Sequence, residues 1–237
     1  MLRFVFFIVV VIFDTVFHAI FAMAAGLINP YSSFNSGVLR NWGKVILWAN
    51  GSRMEISGLE NIKHGESYIV VANHQSHMDI PVAVSALPLP LRIVSKKELF
   101  KIPFMGWGMS AIGILKIDRS NRVQAIETLK KAEETIRKFK LSILAFPEGT
   151  RSEDGKIHSF KKGPIILAIN TRFPILPVSI SGTRNLLPKG RIVPKRGNIK
   201  VVIHQPIPTA DLALADRNDL IAKVRERVEA GFIENYS

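Results

Sequence analysis

The chain has 237 residues, of which 47% are apolar, and its 32 basic and 19 acidic side chains give a formal charge of +13. This length and apolar content predict a folded domain rather than a disordered chain. No cysteine is present, which excludes disulfides, thiolate zinc sites, iron–sulfur clusters and a cysteine nucleophile. The basic excess favours polyanionic partners such as nucleic acid, anionic lipid headgroups or phosphorylated substrates and carriers, unless it serves solubility alone.

The apolar residues are most concentrated at the amino end. Residues 4–25 form a nearly continuous apolar run that only Asp14 and His18 interrupt, and about 20 such residues suffice for a helix to cross a bilayer. A secretory signal is the alternative interpretation, with Arg3 as its charged region and an A-x-A cleavage pattern at 22–24. Because the apolar run continues beyond Asp14, a membrane-associated segment is favoured.

A second amino-terminal segment, 38–50, carries Trp42 and Trp48 beside Arg40 and Lys44. It is too short to span a bilayer, but tryptophan mixed with basic residues is typical of helices that lie at the level of the lipid headgroups. An ordinary amphipathic helix that buries both tryptophans is an equally good interpretation of these residues.

From residue 51 onward, apolar runs of strand length alternate with helical segments. The predicted strands are 54–56, 67–72, 91–95, 114–117, 142–146, 175–180 and 199–204. The predicted helices are 78–87, 104–112, 121–139 (capped by Ser120 or Asn121) and 216–233. This alternation predicts an α/β fold with a largely parallel central sheet flanked by helices. The chain therefore divides into an N-terminal membrane-associated helical pair, 1–50, and an α/β domain, 51–237.

The stretch NHQSHMD, at 73–79, follows a predicted strand and opens a predicted helix. In α/β sheets, functional groups gather where strands end and loops begin. His74 in the loop and Asp79 on the helix can form the base and the orienting carboxylate of a proton-transfer site. The alternatives are a metal site that adds His77, disfavoured because no further ligands accompany it, or a polar turn in which Ser76 or His77 caps the helix.

No enzyme nucleophile accompanies this pair in a recognisable setting, since the chain has neither a cysteine nor a G-x-S-x-G elbow. If His74 and Asp79 are catalytic, a substrate hydroxyl takes the place of that nucleophile. This predicts direct transfer to an alcohol without a covalent intermediate on the enzyme.

A second turn after a predicted strand, FPEGTRS at 146–152, carries Glu148, Gly149 and Arg151. Arg151 can hold a phosphate through two parallel hydrogen bonds, and Glu148 can accept hydrogen bonds from a hydroxyl. Read alone, the stretch is better explained as a simple turn with a salt bridge. Further lysines follow at 160–164, and Lys96 follows another predicted strand.

Taken in order, these stretches resemble the 1-acylglycerol-3-phosphate O-acyltransferase family, within the glycerolipid acyltransferases. Four ordered blocks across about residues 70–180 carry the resemblance and are far more specific than any one of them. The matching positions are Asn73, His74 and Asp79; Lys96, Leu99, Pro103, Gly106, Gly113 and Arg119; the stretch 146–152; and Pro174 with Pro177. No chemical position departs from the family pattern.

The resemblance implies that an acyl thioester, on coenzyme A or acyl carrier protein, is the donor and that lysophosphatidic acid is the acceptor. Acylation of the sn-2 hydroxyl would form phosphatidic acid in phospholipid biosynthesis. Glycerol 3-phosphate or another lysolipid is the alternative acceptor. Neither a cofactor nor a metal is expected.

The resemblance also implies a role for each motif residue. His74 would act as the general base, held by Asp79. The residues expected to bind the phosphate and glycerol of the acceptor are Lys96, Arg119, Glu148, Gly149 and Arg151. Backbone N–H groups near Gly149 or the lysines are candidates for stabilising the oxyanion.

The donor chemistry predicts the topology of the amino-terminal pair. Acyl thioesters are cytoplasmic, and a single span with Arg3 inside would put the α/β domain on the opposite side of the membrane. The pair is therefore expected to re-enter or to lie in one leaflet at the cytoplasmic face, turning near 26–30.

Nucleic acid is not an expected partner, because no arginine-rich helix or aromatic-interleaved strand is present. An exported hydrolase with a cleaved signal is the remaining alternative.

Overall fold

The chain folds around a seven-stranded β-sheet that carries helices on both faces. The computed structural model describes residues 2–118 and 122–236, apart from the side chains at 122–127 and 129–131. The strands are β1 (Arg53–Ser57), β2 (Ile69–Ala72), β3 (Leu91–Lys96), β4 (Leu115–Ile117), β5 (Ser142–Ala145), β6 (Ile175–Ser181) and β7 (Asn198–Ile203). The α-helices are α1 (Leu2–Ile28), α2 (Ser33–Asn50), α3 (Asp79–Ala86), α4 (Met105–Ala111), α5 (Arg122–Phe139), α6 (Gly163–Thr171), α7 (Thr183–Leu186) and α8 (Arg217–Gly231).

Most of the sheet is parallel, which confirms the predicted fold class. Its strand order is β1-β7-β6-β2-β5-β3-β4, and the five strands from β6 to β4 run in one direction. Strand β7 pairs antiparallel with β6 and parallel with β1, so these two strands run the other way. The carboxyl ends of β2, β3, β5 and β6 consequently meet at one edge of the sheet, which we call the carboxyl edge.

The sheet separates two hydrophobic cores. In the fully buried strand β2, Val70 and Ala72 face the layer formed by α1 to α4, whereas Ile69 and Val71 face the layer formed by α5, α6 and α8. The alternation follows from the two-residue period of a strand, and both faces are apolar because helices cover both. Burial on both sides explains why the sequence of β2 is a continuous apolar run.

The observed bounds differ from the predicted ones by at most two residues for the strands and for α3, α4, α5 and α8, whereas no bounds were predicted for α6 and α7. The first turn of α3 is one such difference. This helix begins at Asp79, and its N-cap residue Met78 offers no side-chain hydrogen bond, so neither Ser76 nor His77 caps it as expected. The predicted cap of α5, Ser120 or Asn121, lies outside the described residues.

The amino-terminal pair is an α-helical hairpin. Helix α1 has 27 residues and α2 has 18, and the chain turns between Ile28 and Ser33. The Oγ of Ser32 caps α2 by accepting a hydrogen bond of 3.2 Å from the backbone N–H of Asn35. Gly51 ends α2 in the left-handed conformation, with φ of 68°.

One face of α1 packs on the rest of the protein and the other is open. Phe7, Ala19 and Ala22 are buried. Ala19 lies close to Gly108 of α4: a Cβ added to Gly108 would be 3.0 Å from the Cα of Ala19. The open face carries large apolar side chains with exposures between 45% and 72%: Val5, Phe6, Val9, Ile12, Phe13, Phe17, Ile20 and Phe21. Within the described residues, α1 is the one helix long and apolar enough to cross a membrane. The division of the chain at residue 50 stays a prediction.

Candidate active site

The carboxyl edge brings together the segments that carry the sequence motifs. Strands β2, β5 and β3 are neighbours in the sheet, and each leads directly into a motif: His74 after β2, Glu148 after β5 and Lys96 at the end of β3. Since parallel strands end at the same edge, residues far apart in the sequence become neighbours there.

His74 and Asp79 form a hydrogen-bonded pair. Their Nδ1 and Oδ2 atoms lie 2.8 Å apart, and the side chain of His74 is 12% exposed whereas that of Asp79 is fully buried. The same Oδ2 accepts hydrogen bonds from the backbone N–H groups of Gln75, at 2.7 Å, and Ser76, at 2.8 Å. Because Oδ2 of Asp79 already accepts two backbone N–H groups, it also acts as the acceptor toward His74. Nδ1 of His74 is therefore the donor in the pair. The proton on Nδ1 leaves Nε2 as the basic nitrogen.

The second carboxylate oxygen of Asp79 is also satisfied. Thr183, at the start of α7, donates its hydroxyl to Oδ1 over 2.5 Å, and both side chains are completely buried. Four donors therefore surround one carboxylate and hold it in one position. Among the described residues, no side chain forms a hydrogen bond with Nε2 of His74, so this nitrogen is available to a substrate.

The backbone and ring of His74 are held from the neighbouring loop. Its N–H donates to Oε1 of Glu148 over 2.7 Å, and its carbonyl accepts from the N–H of Ser152 over 2.9 Å. Its ring stacks on Phe146, with 4.2 Å between ring centroids and an interplanar angle of 19°. These contacts restrict both rotation of the ring and movement of the loop that carries it.

Glu148 connects two loops. Its Oε1 accepts from His74 and its Oε2 accepts from the N–H of His158 over 3.0 Å, while the residue is only 5% exposed. Burial raises the pKa of Glu148, and the two backbone hydrogen bonds together with the nearby imidazoles oppose this shift. Both oxygens thus have protein partners, which argues for a role in shaping the site.

Positive charge gathers next to the pair. Arg151 is partly buried, which lowers its pKa, while the carboxylate of Asp79 acts in the opposite direction. Desolvation, followed by the charges of Arg151 and His74, lowers the pKa of His77 to about 4, and Lys96 contributes in the same direction. At neutral pH His77 is therefore uncharged. Arg151 and Lys96 have no carboxylate within ion-pair distance in the part of the chain that the structure describes.

A third cation lies against the turn at Gly149. This residue has a φ of 76°, and an added Cβ would be 2.6 Å from Nζ of Lys161. Glycine is therefore favoured both by the backbone conformation and by the approach of the lysine. The N–H of Gly149 donates to the carbonyl of Phe146 over 3.1 Å, which closes the turn. The lysine at 161 is a better candidate for contacting an anionic group than the amide of Gly149.

The structure does not bring every predicted residue to this site. Arg119 lies outside the described residues, so its position is not part of the site described here. Pro174 and Pro177 lie at and beyond the start of β6, with Pro177 paired in the sheet opposite Val71. Pro177 is buried within the sheet, and Pro174 lies partly buried directly before it. No three His, Asp or Glu side chains among the described residues could together hold a metal ion.

An apolar cavity of about 130 Å³ opens beside the first turn of α3. Its walls come from α1, α2, α4 and β3, and it includes Ile80 and Ser95, which are next in sequence to Asp79 and Lys96. Its lining is almost entirely apolar; the further wall residues include Ala22, Val38, Leu39, Leu99, Met105, Met109 and Ile112. A cavity with an almost entirely apolar lining, which includes the sequence neighbours of Asp79 and Lys96, suits the hydrocarbon tail of a lipid.

Sequence reasoning missed Thr183 and did not show what Asn73 does, although both residues hold the site. Thr183 completes the hydrogen bonds of Asp79, although 104 positions separate them, and no local pattern marks it. The buried side chain of Asn73 exchanges two hydrogen bonds of 2.8 Å with the backbone of Ile180, which ties the catalytic loop to β6. Asn73 was visible as the first residue of its motif, but only the sheet shows what it contacts.

One nitrogen of His74 is open to a substrate, and a buried carboxylate at the carboxyl edge holds the other. This arrangement is suited to accepting a proton from a substrate hydroxyl. The acyltransferase family model matches residues 53–181. The chain belongs to this acyltransferase family.

Relatives with assigned names agree with the family. A chloroplastic 1-acyl-sn-glycerol-3-phosphate acyltransferase of Arabidopsis thaliana is 35% identical over 76% of this chain and 51% of its own length. A 1-acyl-sn-glycerol-3-phosphate acyltransferase of Saccharomyces cerevisiae is 37% identical over 75% of this chain and 59% of its own. The chain thus spans just over half the length of these two curated relatives.

A solved structure extends the similarity to nearly the whole chain. The crystal structure of the 1-acyl-sn-glycerophosphate (LPA) acyltransferase PlsC from Thermotoga maritima has a TM-score of 0.82 and 32% identity. The match covers 97% of this chain and 93% of that protein, and therefore includes the helical hairpin as well as the α/β domain.

Proposed function

We propose that this acyltransferase transfers an acyl chain from a thioester to the free sn-2 hydroxyl of 1-acylglycerol 3-phosphate, which yields phosphatidic acid. The observation that carries the proposal is the His74–Asp79 pair with its open nitrogen Nε2, together with the charges of Arg151 and Lys96, which act electrostatically on the neighbouring His77. This arrangement accommodates an acceptor in which a hydroxyl and a phosphate are close together. The names of the similar acyltransferases support the same acceptor.

The reaction follows from the proton on Nδ1 of His74. Nε2 takes the proton of the acceptor hydroxyl while the hydroxyl oxygen attacks the thioester carbonyl carbon. The C–S bond then breaks, and the thiolate leaves as a thiol after taking the proton back from Nε2. Asp79 holds the ring in the productive tautomer and stabilises the imidazolium between the two steps. No acyl group is attached to the enzyme at any stage.

Binding of the acceptor phosphate would orient the acceptor hydroxyl relative to His74. Arg151, Lys96 and Lys161 are the cations of the site, and the guanidinium of Arg151 can bind two phosphate oxygens at once. Fixing the phosphate fixes the hydroxyl relative to Nε2, and good orientation of reactants lowers a barrier by roughly 7–11 kcal/mol. Glu148 acts on the substrate indirectly by holding the backbone of His74, and Arg119 stays a predicted phosphate ligand.

The apolar cavity is the proposed site of an acyl chain. It begins beside Ile80 and Ser95, within one residue of Asp79 and Lys96, and continues between the hairpin and β3. A thioester carbonyl at His74 would place its hydrocarbon tail there, and each buried CH₂ group contributes about 0.8 kcal/mol to binding. Acyl-CoA and acyl carrier protein both fit this role as donors.

We further propose that the hairpin lies in the cytoplasmic leaflet of the cell membrane. The open face of α1 exposes eight large apolar side chains, whereas Ala19 and Ala22 on the other face pack on the α/β domain. Burial of these residues also argues against cleavage at 22–24, because removal of α1 would expose the core that it covers. A helix with one apolar open face and one packed face is typical of a monotopic segment.

The decisive experiment measures phosphatidic acid formed by purified full-length protein from lysophosphatidic acid, with acyl-CoA or acyl carrier protein as donor. His74→Ala should abolish the reaction with either donor, because the variant lacks the proposed base. His64→Ala is the matched control, since this histidine is exposed in the loop before β2. Equal product from wild type and His74→Ala would rule out the mechanism.

The same assay separates the acceptors. We expect lysophosphatidic acid to react faster than glycerol 3-phosphate, because only the lysolipid brings its own acyl chain to an apolar site. A higher kcat/KM with glycerol 3-phosphate would contradict the proposed acceptor while leaving the mechanism intact.

A further inference from the structure

The loop at 187–197, between α7 and β7, combines strong positive charge with exposed apolar residues. It contains Lys189, Arg191, Lys195 and Arg196 and no acidic residue. Between these cations, Ile192 is 75% exposed and Val193 is 52% exposed. An apolar tip flanked by basic residues is the pattern of a segment that inserts among lipid headgroups and pairs with their phosphates.

The base of this loop is fixed to the rest of the protein. The N–H of Lys195 donates to the carbonyl of Leu186 over 2.7 Å, and the carbonyl of Leu187 accepts from the hydroxyl of Ser76 over 2.7 Å. Pro194 is buried, although the two residues before it are exposed. The tip therefore projects into solvent from a base that hydrogen bonds hold in place, and this base is bonded directly to the loop that carries His74.

Two of the four cations lie against other parts of the protein. Lys189 pairs with Glu153 at 2.6 Å. Arg196 covers the carboxyl end of α2, since a Cβ added to Gly51 would be 2.9 Å from its Nε. The carboxyl end of a helix carries partial negative charge and so favours a cation. Arg191 and Lys195 are exposed and have no carboxylate partner among the described residues. These two cations are the ones available to an external anion.

The loop is also connected to the helical hairpin through hydrogen bonds at the ends of α1 and α2. The carbonyl of Lys195 accepts from Asn50 over 3.0 Å, and the carbonyl of Asn50 accepts from Arg3 over 2.7 Å. Beyond this junction lie Phe6 and Trp48, which are 48% and 69% exposed and whose rings are 6.2 Å apart. The tip and the open face of α1 are thus joined through the ends of α1 and α2.

We propose that the 187–197 loop is a second membrane contact, in which Ile192 and Val193 insert among the headgroups of an anionic bilayer while Arg191 and Lys195 bind lipid phosphates. The proposal rests on the membrane association proposed above for the hairpin. Together, the hairpin and this loop would hold the protein on the bilayer with the loop of His74 close to it, so that a membrane-resident acceptor could reach His74.

The absence of cysteine makes this contact directly measurable. Ile192→Cys introduces a unique site for an environment-sensitive fluorophore, and His64→Cys is the matched control in the exposed loop before β2. Full-length protein is placed in phosphatidylcholine vesicles with or without phosphatidylglycerol. With the anionic lipid, the label at 192 should shift to shorter wavelength and be quenched by headgroup-level spin labels, whereas the control should not. Equal water exposure of both labels would overturn the proposal.

A charge variant tests the role of the two cations. Arg191→Gln combined with Lys195→Gln should weaken insertion of the label by about fivefold for each charge removed. Lys223→Gln with Arg227→Gln, on α8, makes the same change in net charge elsewhere and should leave insertion unchanged. Equal weakening by both double variants would mean that net charge, and not this loop, controls the contact.

The alternative partner is the phosphate-rich or acidic donor. If acyl-CoA or acyl carrier protein, added without vesicles, produced the full spectral shift at 192, the loop would be a donor site and the proposal would be wrong. The label reports insertion without turnover. An inactive wild-type protein that still inserts would therefore refute the proposed reaction and leave the membrane contact standing.

Discussion

Among the described residues, two largely buried histidine–aspartate pairs have nearly equal geometry, and only one of them has the surroundings of a catalytic site. Nδ1 of His74 lies 2.8 Å from Asp79 at the carboxyl edge, and Nδ1 of His18 lies 2.9 Å from Asp14 within α1. Both histidines are largely buried. The distance between the two side chains therefore does not identify the functional pair.

The surroundings distinguish the two pairs. Nε2 of His18 is 3.1 Å from the side-chain amide of Asn41, so both of its ring nitrogens already have partners. Oδ2 of Asp14 is buried and has no hydrogen-bond partner among the described residues, whereas both oxygens of Asp79 are satisfied. The pair in α1 joins the two helices of the hairpin. In the pair at the carboxyl edge, one basic nitrogen is open, and hydrogen bonds hold the other atoms of the pair in place.

The largest expected effect comes from exchanging the orienting carboxylate for an amide. Asp79→Asn should lower kcat by about 10³–10⁴-fold, because an asparagine amide no longer enforces the tautomer with its proton on Nδ1. The measurement is phosphatidic acid formation by the folded variant. Asp14→Asn is the matched substitution in the other pair and should lower kcat by less than about tenfold. Similar losses in the two variants would remove the distinction between the pairs.

Removing the hydroxyl of Thr183 tests whether its hydrogen bond to Asp79 contributes to stability and activity. Thr183→Val should destabilise the protein by about 1.5–3 kcal/mol, the range for losing a hydrogen bond to a charged group. The activity should also fall, since Asp79 loses the donor that holds Oδ1. Urea unfolding and kcat check the two expectations. Thr183→Ser, which retains a hydroxyl, should recover most of both; no difference between the two variants would count against the role of the hydroxyl.

The pair in α1 should affect stability more than catalysis. His18→Leu leaves Asp14 buried without its partner and should cost about 1–3 kcal/mol in detergent-solubilised protein. Replacing both residues by leucine should restore much of this stability, because neither charge then remains unpaired. A double-mutant cycle by chemical unfolding measures the coupling. If the double variant were less stable than His18→Leu, the pair would be a net stabilising contact.

The smallest effect concerns pH. His77 has a pKa of about 4 in the folded protein and about 6.5 as a free side chain. Between these values the unfolded chain binds more protons, so stability should fall as the pH is lowered through this window. His77→Gln should show a smaller fall in Tm from about pH 7 to about pH 5 than the wild type. His64→Gln is the control, and an unchanged slope in His77→Gln would contradict the shift.

Much of the fold was predictable because local patterns carry it. Strands such as β2 and β5 are short apolar runs between turns, and their alternation with helices predicts a parallel sheet with both faces covered. The His74–Asp79 pair was also within reach, since five residues span a loop and the first position of a helix.

Contacts between distant segments were not predictable in the same way. Glu148 was expected to bind substrate, yet its oxygens accept from His74 and His158. Thr183 reaches Asp79 from α7, and Lys161 approaches Gly149 across the turn. These contacts depend on which strands are neighbours, and strand order reflects burial summed over the whole chain.

The sequence by itself determined the α/β class, the acyltransferase motifs and the pairing of a base with its carboxylate, because short spacings and periodic apolar residues encode all three. The tertiary structure decided the rest. The apolar run at 4–25 is compatible with a span, a cleaved signal or a hairpin arm, and packing of Ala19 against Gly108 favours the last. Likewise, two similar His–Asp pairs acquire different properties only from groups that long-range folding brings to them, since donors and acceptors act through space over about 3 Å.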